Sequence, residues 1–221
     1  MCNDLTVSAP FSIDLWSDVV CPFCYLGSRQ LAGALELFEH REDVVLRHHA
    51  FELDPKSPPS FDQTLAQLVA EKYAMPVERA LELHHRLEGQ AEELGMTWSL
   101  TQAQPSNTFD AHRLIALAAS QGRAEEMSER LFRGYFCEGA RLSDHEQLNA
   151  LAKEVGVLDA ALLWETEAFA RDVRHDEESA QELGITSVPA FLIDNKFMIL
   201  GAQGVDHVLD VLRRAWARRA A

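Results

Sequence analysis

The chain has 221 residues, with 47% hydrophobic and 25% charged side chains, enough apolar material to bury a sizeable core as one large domain or one domain carrying an insertion. A net charge of −15 argues against a general nucleic-acid surface, which needs clustered Lys and Arg to displace phosphate counterions. No stretch is long and apolar enough to cross a bilayer, and Met1 to Thr6 lack a basic start followed by an apolar run, so a cytoplasmic protein is expected.

In chain order, apolar Phe11, Ile13 and Leu15 alternate with polar Ser12 and Asp14, which predicts a strand over residues 11–18. Leu31, Leu35 and Phe38 then recur at helical spacing and predict an amphipathic helix from about Pro22 to Glu39. A second strand is expected over residues 44–51, closed by Asp54-Pro55 and Pro58-Pro59. On that strand His48 and His49 alternate, so one should face inward and the other outward.

From residue 61 to 169 the signals are helical: Leu65/Leu68/Val69/Tyr73, Val77/Leu81/His84/Leu87, a helix over 109–119, and Leu148/Leu151/Ala152/Val155. This region reads as an inserted helical domain, flanked by the two parts, 1–60 and 170–221, of an α/β domain. His84 falls on an apolar stripe and is read as a core histidine; Asn107 and Thr108 are read as caps of the following helix. A hairpin is expected from residues 189–193 and 197–200 around Asp194-Asn195, then a closing helix through Val205, Val208, Leu212 and Trp216. The Arg213, Arg214, Arg218, Arg219 cluster suits the negative end of that helix.

Only four cysteines occur, too few for a disulfide-stapled scaffold. Cys21-Pro22-Phe23-Cys24 stands at the strand-to-helix junction. A thiol at a helix start faces unpaired N–H groups and the positive dipole end, which bring it from about 8.5 down to roughly 3.5–7.5. Cys24 lies one turn on, where it can resolve a mixed disulfide formed by Cys21, and Pro22 fits the first turn because its missing N–H costs nothing there. Stabilising the Cys21 thiolate makes the disulfide a better oxidant, by about 30 mV per 1.4 kcal/mol. Zinc would need a second close ligand pair; Cys2 and Cys137 stand alone, and although His48-His49 or His84-His85 offer ligands, the strand-to-helix placement of the cysteine pair matches a redox motif better than a metal site. Asp18, just before the motif, either shuttles protons for Cys24 or merely ends the strand.

Four segments, Asp-Val-Val-Cys-Pro-Phe-Cys-Tyr-Leu-Gly (18–27), Asn-Thr-Phe-Asp-Ala-His-Arg (107–113), Leu-Phe-Arg-Gly-Tyr-Phe-Cys-Glu-Gly (131–139) and Gly-Ile-Thr-Ser-Val-Pro (184–189), carry a resemblance to the DsbA-like thioredoxin superfamily, within it to FrnE-type proteins. The resemblance spans nearly the whole chain. It implies an α/β thioredoxin-like fold with a large helical insertion, a thiol–disulfide oxidoreductase with Cys21 and Cys24 as catalytic residues, and a substrate groove shaped by Pro22, Phe23, Val188 and a cis Pro189. Read alone, Pro189 is a strand-edge proline. The implied partners are thiol- or disulfide-bearing proteins or small molecules, with no metal and no cofactor beyond the cysteine pair, and glutathione as a candidate co-substrate. Oligomeric state is left open.

The superfamily also holds 2-hydroxychromene-2-carboxylate isomerases and kappa-class glutathione transferases, which typically carry Ser where this chain has Cys21, and a glutathione-dependent isomerase or transferase is the alternative reading. Relatives often have Pro-Trp between the cysteines where Pro22-Phe23 stands here. Cys137 departs from the pattern and is read as a buried small apolar residue, its alternative being a third redox thiol; Cys2 is assigned no role.

Overall fold

The computed structural model describes residues 10–219, so Cys2 lies outside the described residues. The chain begins with β1 (Phe11–Ser17), α1 (Pro22–Glu36), a short 3-10 turn at Arg41–Asp43 and β2 (Val44–Ala50). β1 and β2 pair in parallel, Phe11 opposite Val44 through to Ser17 opposite Ala50, and parallel strands need a crossover, which α1 supplies. The helix ends at Glu36, three residues short of the expected Glu39. Leu37 N–H and Phe38 N–H bond back to Ala34 and Leu35, tightening the last turn so that Phe38 enters the core and the chain reverses toward β2.

Helices follow without a strand: α2 (Leu65–Lys72), α3 (Val77–Glu93), α4 (Phe109–Ser120), α5 (Ala124–Glu138), α6 (His145–Val155), the single turn α7 (Ala160–Leu163) and α8 (Ala170–Glu182). Thr64 and Gln67 close a capping box on α2, and Asp144 caps α6 through the Glu146 and Gln147 N–H groups. The chain then returns as β3 (Ala190–Ile193), β4 (Phe197–Leu200) and α9 (Val205–Ala217). Asp194 and Asn195 take positive φ in the turn between β3 and β4, a conformation these two residue types tolerate. The sheet order is β2-β1-β3-β4, with β1 and β3 antiparallel and Leu15 opposite Phe191. This is the α/β thioredoxin-like architecture with a large helical insertion. No helix among the described residues is long and apolar enough to cross a membrane.

Two cores share the sheet. On one face α1, through Leu31, and α9, through Leu212, cover Phe11, Ile13, Phe191 and Ile193. The larger core begins at the start of α1 and continues into the helices through Tyr25, Trp98, Leu114, Phe132, Phe136 and Leu148. Tyr25 joins them: its ring stacks on Phe132 at 4.8 Å and on Trp98 at 5.5 Å, and its hydroxyl donates to Glu129 Oε1 at 2.8 Å. Gly27, half a turn further on, lies so close to β3 that a Cβ there would sit 2.8 Å from Pro189 Cγ and 3.2 Å from the Phe191 ring.

Because α8 covers the second face of the sheet, the polar positions of β1 are buried along with the apolar ones, and the expected inward–outward split of His48 and His49 does not occur. His48 turns toward α5, where its Nδ1 meets Ser128 Oγ at 3.3 Å, and burial lowers its pKa to about 4. His49 is held between Asp176 Oδ1 of α8 (2.6 Å) and Asp14 Oδ1 of β1 (2.9 Å), with its ring stacked on Trp16 at 4.5 Å. Burial opposes its charge, and the two carboxylates outweigh burial, raising its pKa to about 9. The arginines of the closing helix are engaged in local pairs, Arg214 with Asp210 at 2.8 Å and Arg213 with Glu39.

Two outcomes are expected. Gly27→Ala should lower unfolding stability by about 1–3 kcal/mol in denaturant titrations, since backbone or Pro189 must shift to admit the methyl group. The His49 clamp, raised on folding, contributes fully below pH 6.5 and loses its contribution as pH rises through about 9. Thermal unfolding should therefore show a stability loss of roughly 1–3 kcal/mol across that window that His49→Gln does not show.

Candidate active site

Cys21 is the residue before the first turn of α1, with extended backbone angles (φ −87°, ψ 117°), and Pro22 is the first helical residue. The Cys21 carbonyl accepts from the N–H groups of Cys24 (3.0 Å) and Tyr25 (3.3 Å), so the helix begins inside the motif. This brings Cys21 and Cys24 together as thiols. Cys21 is 5% exposed, Cys24 is fully buried, and Phe23 between them is 49% exposed, standing at the mouth of the site.

Opposite the motif the Val188–Pro189 peptide is cis, and the Cys21 thiol donates a long hydrogen bond to the Val188 carbonyl at 3.8 Å. The absence of a side chain at Gly27 is what allows Pro189 to approach α1 this closely. Six residues singled out from the sequence, Cys21, Pro22, Phe23, Cys24, Val188 and Pro189, thus come from two distant stretches of chain to one end of the sheet.

The two thiols differ. A hydrogen bond with the Cys24 side chain is the largest influence holding the Cys21 thiol below the usual cysteine range; burial and the Asp18 charge oppose it, and backbone N–H groups of Cys24 and Phe23 assist. The helix start alone was the expected cause, whereas the second cysteine contributes more. Burial, aided by the bond to Cys21, pushes Cys24 well above the ordinary value. The thiol of lowered pKa, 5% exposed, therefore sits over a fully buried thiol of raised pKa.

Asp18 does more than end the strand. Its backbone N–H donates to Cys24 Sγ at 3.4 Å, its carbonyl accepts from Cys21 N–H at 3.0 Å, and its carboxylate, 1% exposed, accepts from Leu53 N–H at 2.8 Å. Next to it lie His112 of α4 and Glu52, buried polar groups that periodicity alone did not single out; the one signal was that His112 falls within the 107–113 segment, on the buried face with Ala111, Leu114 and Ile115. Glu52 takes Asn107 Nδ2 at 3.3 Å and Arg174 Nη1 at 2.7 Å. The Asn107 side-chain Oδ1 accepts from Phe109 N–H at 2.9 Å, while Thr108 makes no side-chain cap bond, so of the two expected caps only Asn107 acts as one.

Other sequence candidates fall elsewhere. Cys137 is half-buried on α5 against the helical core, and burial raises its pKa, which leaves it a less reactive thiol. His84 is buried on α3, as read from its stripe. Among the described residues no three His, Cys, Asp or Glu side chains converge to hold a metal ion.

Comparison with known proteins bears on the same features. The model of the DSBA-like thioredoxin domain matches residues 12–213. The uncharacterized protein YwbO of Bacillus subtilis is 28% identical over 199 residues, covering 88% of this chain and 92% of that protein. A probable DsbA oxidoreductase from Streptomyces coelicolor superposes with a TM-score of 0.89 at 33% identity, covering 94% of this chain and 90% of the other. The fold alone is shared with a 2-hydroxychromene-2-carboxylate isomerase (TM-score 0.69, 16% identity, 95% and 98% covered) and with the cytosolic disulfide reductase DsbM of Pseudomonas aeruginosa, whose structure with GSH superposes with a TM-score of 0.64 at 19% identity over 93% of this chain and 99% of that one. A cysteine pair at the start of the first helix, a cis proline facing it and a family match across nearly the whole sequence lead to one conclusion: the chain belongs to the family of DSBA-like thioredoxin domains.

Proposed function

We propose that the protein is a thiol–disulfide oxidoreductase working through Cys21 and Cys24. The observation that carries this reading is geometric: Cys21, at the start of α1, faces the carbonyl of the cis Val188–Pro189 peptide at 3.8 Å, with Cys24 fully buried one turn behind it, and the Cys21 thiol is lowered where Cys24 is raised. In the reducing direction the Cys21 thiolate attacks a substrate disulfide, one substrate thiolate leaves, and Cys21 is joined to the other sulfur. Cys24 Sγ then bonds to Cys21 Sγ, the Cys21–substrate bond breaks, and its electron pair leaves on the second thiolate. The substrate gains two electrons, and the enzyme holds a Cys21–Cys24 disulfide that a thiol reductant reopens. Run backward, the same steps oxidise a dithiol.

Cys24 must give up a proton where water does not reach it, and the carboxylate of Asp18, the buried residue whose backbone N–H meets the Cys24 sulfur and whose charge that sulfur feels, is the acceptor in this reading. Phe23 offers an exposed aromatic surface at the mouth, and the Val188 backbone with Pro189 forms the opposite wall of the substrate groove. Thiol- or disulfide-bearing proteins and small molecules are the substrate class, glutathione is a co-substrate, and the cytoplasm is the compartment this assignment names. The 61–169 stretch as an inserted domain belongs to the same reading.

Alkylation trapping across a glutathione redox series should show Cys21 and Cys24 lost together at one shared midpoint, with Cys137 unaffected. A pair that never closes, with glutathione bound instead, would transfer the assignment to a glutathione-dependent isomerase or transferase. Cys21→Ser should abolish thiol–disulfide exchange, and at neutral pH a brief alkylation pulse should modify Cys21 at least tenfold faster than Cys24.

A further inference from the structure

The acceptor beneath Cys24 is itself incompletely partnered. Leu53 N–H occupies Asp18 Oδ2, but Oδ1 faces His112 Nε2 across 3.4 Å, and neither of these two buried atoms has a hydrogen-bond partner. His112 is 3% exposed and arrives from α4, across the boundary between the sheet and the helices. Leaving a carboxylate oxygen and an imidazole nitrogen both unsatisfied in a core is costly, and each is placed to relieve the other.

The surroundings offer no competing partner for that oxygen. From α5 the buried Tyr135 is the other titratable group near Asp18, and burial together with the Asp18 charge keeps its phenol protonated. Cys24 faces Asp18 from α1. Glu52 approaches His112 from the loop after β2, and its own oxygens are taken by Asn107 and by Arg174 of α8, a half-exposed residue. Arg113, next in sequence to His112, points away to the carbonyls of Leu163, Thr166 and Ala168. The buried polar groups thus form a line from Cys24 through Asp18, His112 and Glu52 to the solvent-facing Arg174.

We infer that His112 is a positioning residue for the resolving half of the exchange: its Nε2–H holds the Asp18 carboxylate in place as the acceptor of the Cys24 proton. The inference rests on the disulfide-exchange reading and goes beyond it by giving the helical insertion a part in the chemistry. In the step concerned the Cys24 Sγ–Cys21 Sγ bond forms, the Cys21–substrate bond breaks, the electron pair leaves on the substrate sulfur, and the proton of Cys24 passes to Asp18. The substrate disulfide is the oxidant.

Reduced protein mixed with an aromatic disulfide reagent that yields a coloured thiolate separates the two halves: the first thiolate reports attack by Cys21, the second reports resolution by Cys24. In stopped-flow runs from about pH 5 to 9, His112→Asn should slow the second release roughly tenfold near neutrality and displace its profile upward by about one pH unit, leaving the first release at the wild-type rate. In an Asp18→Asn background the same substitution should add nothing, because the two act as one unit. Thermal unfolding verifies that each variant is folded, and His112→Gln, which keeps an N–H donor of similar reach, should displace the profile in the same direction by less. A second release unchanged in His112→Asn, slowed equally with or without Asp18, or slowed in step with the first, overturns the inference. A wild-type protein with no Cys24-dependent second release overturns the disulfide-exchange reading itself, and the inference falls with it.

Discussion

The first two turns of α1 are caught between two neighbours, and the position of everything chemical depends on that. On one side Pro189 and Phe191 press against the bare backbone of Gly27. On the other, the Tyr25 ring lies stacked on Phe132 and Trp98, and its hydroxyl is bonded to Glu129. A helix held on both sides presents its N-terminus at one place only, and that place puts the Cys21 sulfur under the Val188 carbonyl. The residues just after the cysteine pair are thus as much a part of the site as the pair itself, since they decide where it points.

The second consequence is burial. α8 closes the face of the sheet that would otherwise meet solvent, so Ser12, Asp14, Asp18 and Glu52 lie in the interior and must find partners there. Where a cation was available the problem is solved by pairing, as His49 does between Asp14 and Asp176 and Arg174 does for Glu52. At Asp18 the pairing is looser, with His112 Nε2 at 3.4 Å, and the backbone N–H of the same residue meets the Cys24 sulfur. Buried charge near a functional group is costly to keep, and tight structural pairing at one end of the sheet with a looser acid at the other fits a division between holding the fold and moving a proton.

The isomerase that shares this fold shows that the architecture does not choose the chemistry. In the present chain a second cysteine, Cys24, serves as hydrogen-bond donor to Cys21 and has its own pKa raised by burial. A lone thiol at a helix start would be lowered by the backbone alone. Here the pair tunes itself, and the thiol that does the lowering is also placed to resolve.

Local sequence determined a good deal by itself. Alternation marked β1, helical spacing marked α3 and α6, the Asp194-Asn195 turn marked the hairpin, and Cys-Pro-Phe-Cys at a strand-to-helix junction marked a cysteine pair at the start of α1, because each of these is written within a few neighbouring residues. Tertiary structure decided what depends on contacts between distant segments. Whether His49 faces water or a carboxylate depends on α8, which begins 121 residues later; Gly27 is needed only because Pro189 comes back against it; and Asp18 gains a buried polar neighbour only when α4 delivers His112. Periodicity reports which face of an element is apolar, but it cannot report what covers the other face, and in this protein buried polar side chains gather where distant helices cover it.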